Sequence, residues 1–264
     1  MSPDGARIAY FVYGKPVSVG KVPILMLHGN GEEHGIFGPL IDALSADGHT
    51  IIAVDSRAQG VSTRGSLPLS YELFAEDALL VLDTLKATRA HVVGFSDGAI
   101  EALLLAKDHG TRVASVVSIG ANLSPEAVVD EGGELARAQS DLNAWAAYWE
   151  GPEGAALIAA GAIDPALLTP TPRAARQTAE LLHLMDVEPH IEASALSHIS
   201  CPVSVVAGEF DVIDERETQL IARSIPHARL HILPGLGHSI PKEAPETLIS
   251  LVRVHLGALR DTAF

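Results

Sequence analysis

A serine between two glycines, an aspartate and a histidine, each just past an apolar run, are the residues here that could do chemistry together. The stretch VVGFSDGAIEALLLA, residues 92–106, runs a β-branched strand into Gly94-Phe95-Ser96-Asp97-Gly98 and then into an apolar helix. On so sharp a turn the serine must take a strained backbone. Glycines two residues to either side keep strand and helix from colliding. The hydroxyl then stands above the carboxyl ends of the strands, where open α/β sheets bind ligands, over the positive end of a helix. The five-residue pattern recurs by chance. A strand before it and a helix after it turn it into a nucleophile signal, set against the plain reading of a glycine-flanked turn.

A serine hydroxyl is a poor nucleophile without a base. Of twelve histidines, His238 stands out: LPGLGHSIPKEAPE places it on a glycine-rich loop past a strand and before a helix. His28 also ends a strand, but it precedes GNGEE, whose glycines suit a loop lending backbone N–H groups. His183, His190 and His198 fall in a region without strands, and His91, His227, His231 and His255 read as surface or packed-face residues. The base needs an acid to fix its tautomer. Asp211 ends the turn Gly208-Glu209-Phe210-Asp211 after a strand; Asp214 competes, although its position suits a helix N-cap. Asp55 ends a strand too, ahead of the serine, and reads as structural, holding its turn with Arg57.

These residues need a scaffold that brings strand ends together. Apolar, β-branched runs at 7–13, 22–29, 50–55, 91–95, 113–120, 202–208 and 229–235 alternate with helical patterns, the signature of a mostly parallel sheet covered by helices. Ser70 is placed to N-cap a helix, Gly48 to end one, and a last helix is expected from about 241 to 259. From 122 to 198 no strand is evident, and prolines and glycines cut helix-like pieces. A loop of that length has no place in a compact domain, so an inserted helical layer is expected.

Composition narrows the partners. The 264 residues are 47% hydrophobic and 19% charged, enough for a sizeable core. A formal charge of −15 disfavours nucleic acid, which needs clustered Lys and Arg, and leaves small molecules as partners. The single cysteine, Cys201, allows no internal disulfide. No basic-then-apolar leader opens the chain, and no run reaches the ~18 apolar residues of a membrane span. A cytoplasmic protein, monomer or homodimer, is expected. No metal or cofactor is expected either. There is no H-E-x-x-H, no paired-cysteine spacing and no G-x-G-x-x-G opening a helix, and HGNGEEH, residues 28–34, lies on a glycine loop.

LHGNGE, VDSRAQGVS, GFSDG, AGEFD and GLGHS, in that order, together resemble the α/β-hydrolase superfamily across nearly the whole chain. The order Ser96, Asp211, His238 is the one expected there. The GFSDG elbow is similar to those of bacterial esterases and valacyclovir-hydrolase-like aminoacyl-ester hydrolases. The resemblance implies an α/β-hydrolase core over 1–121 and 199–264, with a helical cap over 122–198. It also implies an oxyanion pair from the backbone N–H groups of Asn30 and Asp97. Two departures stand out: Ala58 where the family usually has glycine, and no sign of the usual first strand.

The expected function is cleavage of a small carboxylic ester through a seryl acyl-enzyme by Ser96, His238 and Asp211. Carbon–carbon bond hydrolysis or lactone opening on the same triad is the alternative, as is a non-catalytic ligand receptor. The Asp97 side chain has two readings. It braces the turn through neighbouring backbone or a cap residue, or it pairs with a substrate ammonium, with Glu32 leaning the same way.

Overall fold

The computed structural model describes residues 2–18, 20–130 and 132–261. In chain order its elements are β1 (Tyr10–Gly14), β2 (Ile24–Leu27), α1 (Gly38–Ala46), β3 (Thr50–Val54), α2 (Tyr71–Thr84), β4 (Ala90–Phe95) and α3 (Asp97–Asp108). There follow β5 (Val113–Ile119), α4 (Glu134–Glu150), α5 (Pro152–Ala159), α6 (Pro172–Val187), β6 (Val203–Gly208) and α7 (Glu215–Ser224). The chain closes with β7 (Ala228–Leu233), α8 (Ile240–Glu243) and α9 (Pro245–Asp261).

All seven apolar runs are strands of one sheet, in the order β1-β3-β2-β4-β5-β6-β7. Only β1 runs antiparallel, against β3; the other pairs are parallel. Ile24, Leu25, Met26 and Leu27 are all buried, as a strand covered on both faces requires. On one face Leu40, Ile41 and Leu44 of α1 and Leu248, Ile249 and Val252 of α9 pack with Ile24, Met26, Val93 and Val117. By the alternation of the pleat, Leu25, Val92 and Val116 point the other way, to the side where α3 meets β2, β4 and β5. No helix among the described residues is long and apolar enough to cross a membrane.

Local chemistry sets the element ends. Ser70 Oγ accepts the Leu73 N–H at 3.1 Å and caps α2. Gly48, at φ +88°, follows the end of α1. The single helix expected from 241 is two helices, because Pro245 lacks an N–H and pushes the residue before it out of helical geometry. Ala244 accordingly sits at φ −143°, ψ 58°. Arg57, expected to brace Asp55, instead lies buried among other partners. It donates to Asp77 at 2.8 and 2.9 Å, to Asp4 at 2.7 Å and to Ser2 at 2.9 Å. These bonds tie the start of the chain to α2.

The described residues form two compact units. Asp130–Glu188 holds α4, α5 and α6, with α4 packed on α6 and Trp145 Nε1 donating to the Pro170 carbonyl at 2.9 Å. The other unit holds the sheet. There Val128 bridges Ile213 antiparallel, and the Val129 N–H donates to Val212 O at 2.7 Å.

Two backbone approaches fix where β4 turns into α3. A side chain on Gly94 would collide with the Gly98 carbonyl, and one on Gly98 with the Leu27 carbonyl. Neither neighbour is a side chain that could swing away. Gly98→Ala should therefore cost at least the ~1–3 kcal/mol of an overpacked core, read as a lower urea midpoint. An unchanged midpoint would show that α3 can slide on the sheet.

The fold gains a pH dependence from His255, on α9. His255, 7% exposed, meets Ser204 Oγ through Nδ1 at 2.9 Å. Burial, then the Arg229 and His231 charges, push it down to about 4. The unfolded chain binds its proton near the ordinary 6.5, so the folded state gains nothing from His255 above that pH and loses ground as pH falls from 6.5 toward 4. Asp97 and Glu101, raised by burial, work in the opposite direction. A variant comparison isolates the histidine. Between pH 7 and 4.5, His255→Gln should lose about 2 kcal/mol less stability than wild type in urea titrations. Equal losses would mean that His255 takes up its proton without cost in the fold.

Candidate active site

Ser96 sits at φ 53°, ψ −118°, a region that costs a non-glycine residue on the order of 1–3 kcal/mol. Neighbouring strands hold it there. Its N–H donates to the Ile119 carbonyl at the end of β5 at 2.8 Å, and the Gly98 N–H donates to His28 O after β2 at 3.1 Å. Gly29 allows this approach, since a Cβ there would lie 2.9 Å from Ser96 Cβ and 3.1 Å from the Phe95 ring.

His238 Nε2 lies 3.0 Å from Ser96 Oγ. Its Nδ1 lies 2.6 Å from Asp211 Oδ1. A carboxylate oxygen only accepts, so Nδ1 carries the proton and Nε2 is left to receive that of the hydroxyl. The imidazole leans on Phe95, ring centroids 5.1 Å apart. Its loop is tied by Glu243, whose carboxylate accepts from the Gly237 and Ser239 N–H groups at 2.8 and 3.2 Å. Asp211 Oδ1 also accepts the Ile213 N–H at 3.0 Å, which fixes the carboxylate against rotation. Asp214, the competitor, caps α7 by accepting the Arg216 N–H at 2.8 Å and pairs with the Arg216 guanidinium. Those bonds hold it down at about 2. It is Asp211 that reaches the histidine.

The start of α3 follows Ser96 directly. The Ala99 and Ile100 N–H groups bond Ser96 O and that of Gly98 bonds His28 O; among the described residues the Asp97 N–H has no such partner. Asn30 follows Gly29 on the neighbouring loop, and its Nδ2 donates to Asp97 Oδ2 at 3.0 Å. Tyr71 Oη donates to Asp97 Oδ1 at 3.0 Å. The Asp97 carboxylate is thus bonded by side chains from two other elements, not by neighbouring backbone. At 3% exposed, it is pushed by burial up to about 6, against the pull of Asn30, Tyr71 and the His238 charge. One turn on, Glu101 is 1% exposed, and burial, followed by the nearby Asp97 charge, raises it well above the ordinary range.

The other candidates have structural partners. Glu32 pairs with Lys242 at 2.5 Å, joining the loop after β2 to α8. His28 is buried with a fixed tautomer. Its Nε2 accepts the Ser56 N–H at 2.9 Å, so Nδ1–H donates to Gly29 O at 2.8 Å, and desolvation lowers its pKa. Asp55 accepts from His34 Nδ1 at 2.7 Å and from the His34 and Val61 N–H groups at 3.0 Å each. Among the described residues only Glu33, His34 and Asp55 gather three potential metal-ligating atoms, within 4.8 Å of one another. The bonds to Asp55 make that group a knot that shapes the loop, with His34 stacked on Phe11 at 3.8 Å.

Sequence reasoning missed Tyr71, Gln59 and Gly120. Gln59 Oε1 accepts the Gly31 N–H at 2.6 Å and pins the loop carrying Asn30. Gly120, at φ +66°, lies under the His238 imidazole, where a Cβ would come 2.7 Å from His238 Cε1. A glycine closing a strand at the carboxyl edge was the available signal for it; nothing in the sequence marks Tyr71 or Gln59. Ala58, where a glycine was noted as usual, does sit at φ 65°.

The family profile described as alpha/beta hydrolase fold matches residues 22–145. The human serine hydrolase BPHL is 27% identical over 242 residues, 90% of this chain and 78% of that one. A Caulobacter segnis protein named as a carbamate hydrolase, RutD, is 32% identical over 121 residues, so this alignment spans 45% of either chain. Among solved structures, an N-acyl homoserine lactone degrading enzyme superposes with a TM-score of 0.73 at 28% identity, covering 96% of this chain and 98% of that one. The sheet order, the strained serine after β4 and these relatives together show the α/β-hydrolase fold and support hydrolase activity.

Proposed function

We propose that this hydrolase cleaves small carboxylic esters through a seryl acyl-enzyme. The observation that carries the reading is the unbroken hydrogen-bond chain from Ser96 Oγ through both nitrogens of His238 to Asp211. Ser96 Oγ attacks the ester carbonyl carbon as its proton passes to His238 Nε2. The carbonyl oxygen becomes an oxyanion, held by the backbone N–H groups of Asn30 and Asp97. When the tetrahedral intermediate collapses, the C–O bond to the alcohol breaks and His238 returns the proton to the departing alkoxide. Water then repeats the sequence on the acyl-enzyme, frees the acid and restores Ser96. Asp211 stays ionised throughout and orients the ring.

Lactones and carbamates present the same kind of carbonyl, and relatives named for both favour keeping them as a second reading. An amino acid ester is the variant that Asp97 and Glu32 would bind by charge. Both carboxylates already have protein partners, which weighs toward an ester without an ammonium group. We read 122–198 as a helical cap domain carrying substrate choice, and the protein as a cytoplasmic monomer or homodimer acting on a small molecule.

Ser96→Ala, His238→Ala and Asp211→Asn should each lower turnover of p-nitrophenyl acetate by several orders of magnitude and leave the far-UV spectrum unchanged. Their combined loss should be no larger than the largest single one, since the three act as a unit. Asp214→Asn should keep wild-type turnover. Damage there with a harmless Asp211→Asn would reverse the assignment of the acid. Across acetate, butyrate and octanoate esters, repeated fast turnover marks an esterase, and a single slow turnover marks a ligand receptor.

A further inference from the structure

The two N–H groups assigned to the oxyanion lie on different elements, one on the loop after β2 and one in the first turn of α3. Stabilising an oxyanion needs both donors about 2.7–3.1 Å from one oxygen, so small drift between the two elements costs rate. The same two residues are joined to each other by their side chains: Asn30 Nδ2 donates to Asp97 Oδ2 at 3.0 Å. The other oxygen of that carboxylate takes Tyr71 Oη at 3.0 Å. Tyr71 opens α2, is buried, and stands edge-on to Phe74 with ring centroids 6.2 Å apart, so it is a rigid third anchor.

We propose that Asp97 is a positioning residue whose carboxylate clasps Asn30 and Tyr71 and thereby sets the spacing of the two oxyanion donors. This rests on the hydrolase reading of Ser96 given above. Burying a carboxylate is expensive unless its oxygens are bonded, and a residue needed only to fill space would be apolar. Asp97 is 3% exposed with a donor on each oxygen. So buried, with both oxygens turned to protein donors, the carboxylate is directed into the fold and not toward a substrate ammonium. The clasp therefore predicts that the enzyme handles amino esters and their des-amino analogues alike.

The test uses Tyr71→Phe, Asp97→Asn and Asp97→Ala on the full chain, with p-nitrophenyl acetate as substrate and phenylboronic acid as a mimic of the tetrahedral intermediate. Tyr71→Phe, which keeps ring and packing, should lower kcat roughly tenfold with KM little changed, the pattern of an interaction felt mainly in the transition state. Boronate affinity should fall by the same factor. Asp97→Ala should fall further and Asp97→Asn less, because the carboxamide oxygen still accepts one bond. Adding Tyr71→Phe to Asp97→Ala should change nothing more, since both break one unit. Unchanged kcat and boronate binding in Tyr71→Phe would overturn the clasp. So would a wild-type preference for alanine p-nitrophenyl ester over the propionate ester that Asp97→Asn abolishes. Ser96→Ala separates the two ideas. If it is inactive while Tyr71→Phe is normal, only the clasp fails; if it is fully active, the hydrolase reading fails and the clasp with it.

Discussion

The approach of the α3 N-terminus to the backbone at the ends of β2 and β5 is the constraint on which the remaining geometry depends. The Gly98 N–H reaches His28 O, the Ser96 N–H reaches Ile119 O, and the bare Gly98 Cα faces the Leu27 carbonyl. These contacts leave Ser96 no relaxed conformation. The strain is on the order of 1–3 kcal/mol. Against it stands α3 itself, every residue of which from Asp97 to Ala106 is buried. Burying one leucine is worth about 1.5–3 kcal/mol, and Leu103, Leu104 and Leu105 are all buried here. Packing outweighs strain, so the helix holds the serine in place.

The same burial explains how α3 handles its acids. Asp97 and Glu101 lie one turn apart in a region with few cations, and an unpaired buried charge costs several kcal/mol. Each acid meets that cost differently. Asp97 has two hydrogen-bond donors and sits close to the His238 ring. Glu101 has, among the described residues, a long contact from Ser56 Oγ at 3.4 Å, and burial raises its pKa well above the ordinary range. Asp77 on the neighbouring helix α2 takes the buried Arg57 instead. A charge on Glu101 would repel that of Asp97 beside Ser96, and the same repulsion adds to burial in raising Glu101.

The sheet was legible because strands buried on both faces leave long β-branched runs, and all seven runs became strands. That Ser96, Asp211 and His238 would meet was legible because each follows such a run at the carboxyl edge. Arg57 was misread for a reason that recurs: sequence neighbours suggested Asp55, whereas its partners, Asp4 and Asp77, lie 53 and 20 residues away. The role of Tyr71 was invisible for the same cause, as its partner is 26 residues on. Period and motif report what a residue does within its own element. They do not report which side chain of another element will lie beside it, because that depends on how helices stack. Pro245 is the opposite case, a local signal in the sequence that ends one helix and begins the next.

The reach from His238 to Ser96 shows how much depends on side chains that are missing. Ser96 follows β4 and His238 follows β7, with β5 and β6 between them. Strands lie about 4.8 Å apart, so the two residues start some three spacings, roughly 14 Å, from each other. An imidazole spans less than half of that, and the loop after β7 must fold back across the sheet ends. It does so over β6, where a side chain on Gly208 would strike the carbonyls of Leu236 and Gly237. It continues over β5, where one on Gly120 would strike the imidazole. The Phe210 N–H bonds Leu236 O at 2.9 Å on the way, joining the loop of the acid to that of the base. Glycine at the ends of β5 and β6 is therefore as much a condition of the triad as the three residues that form it, since any larger residue there would hold the histidine off its serine.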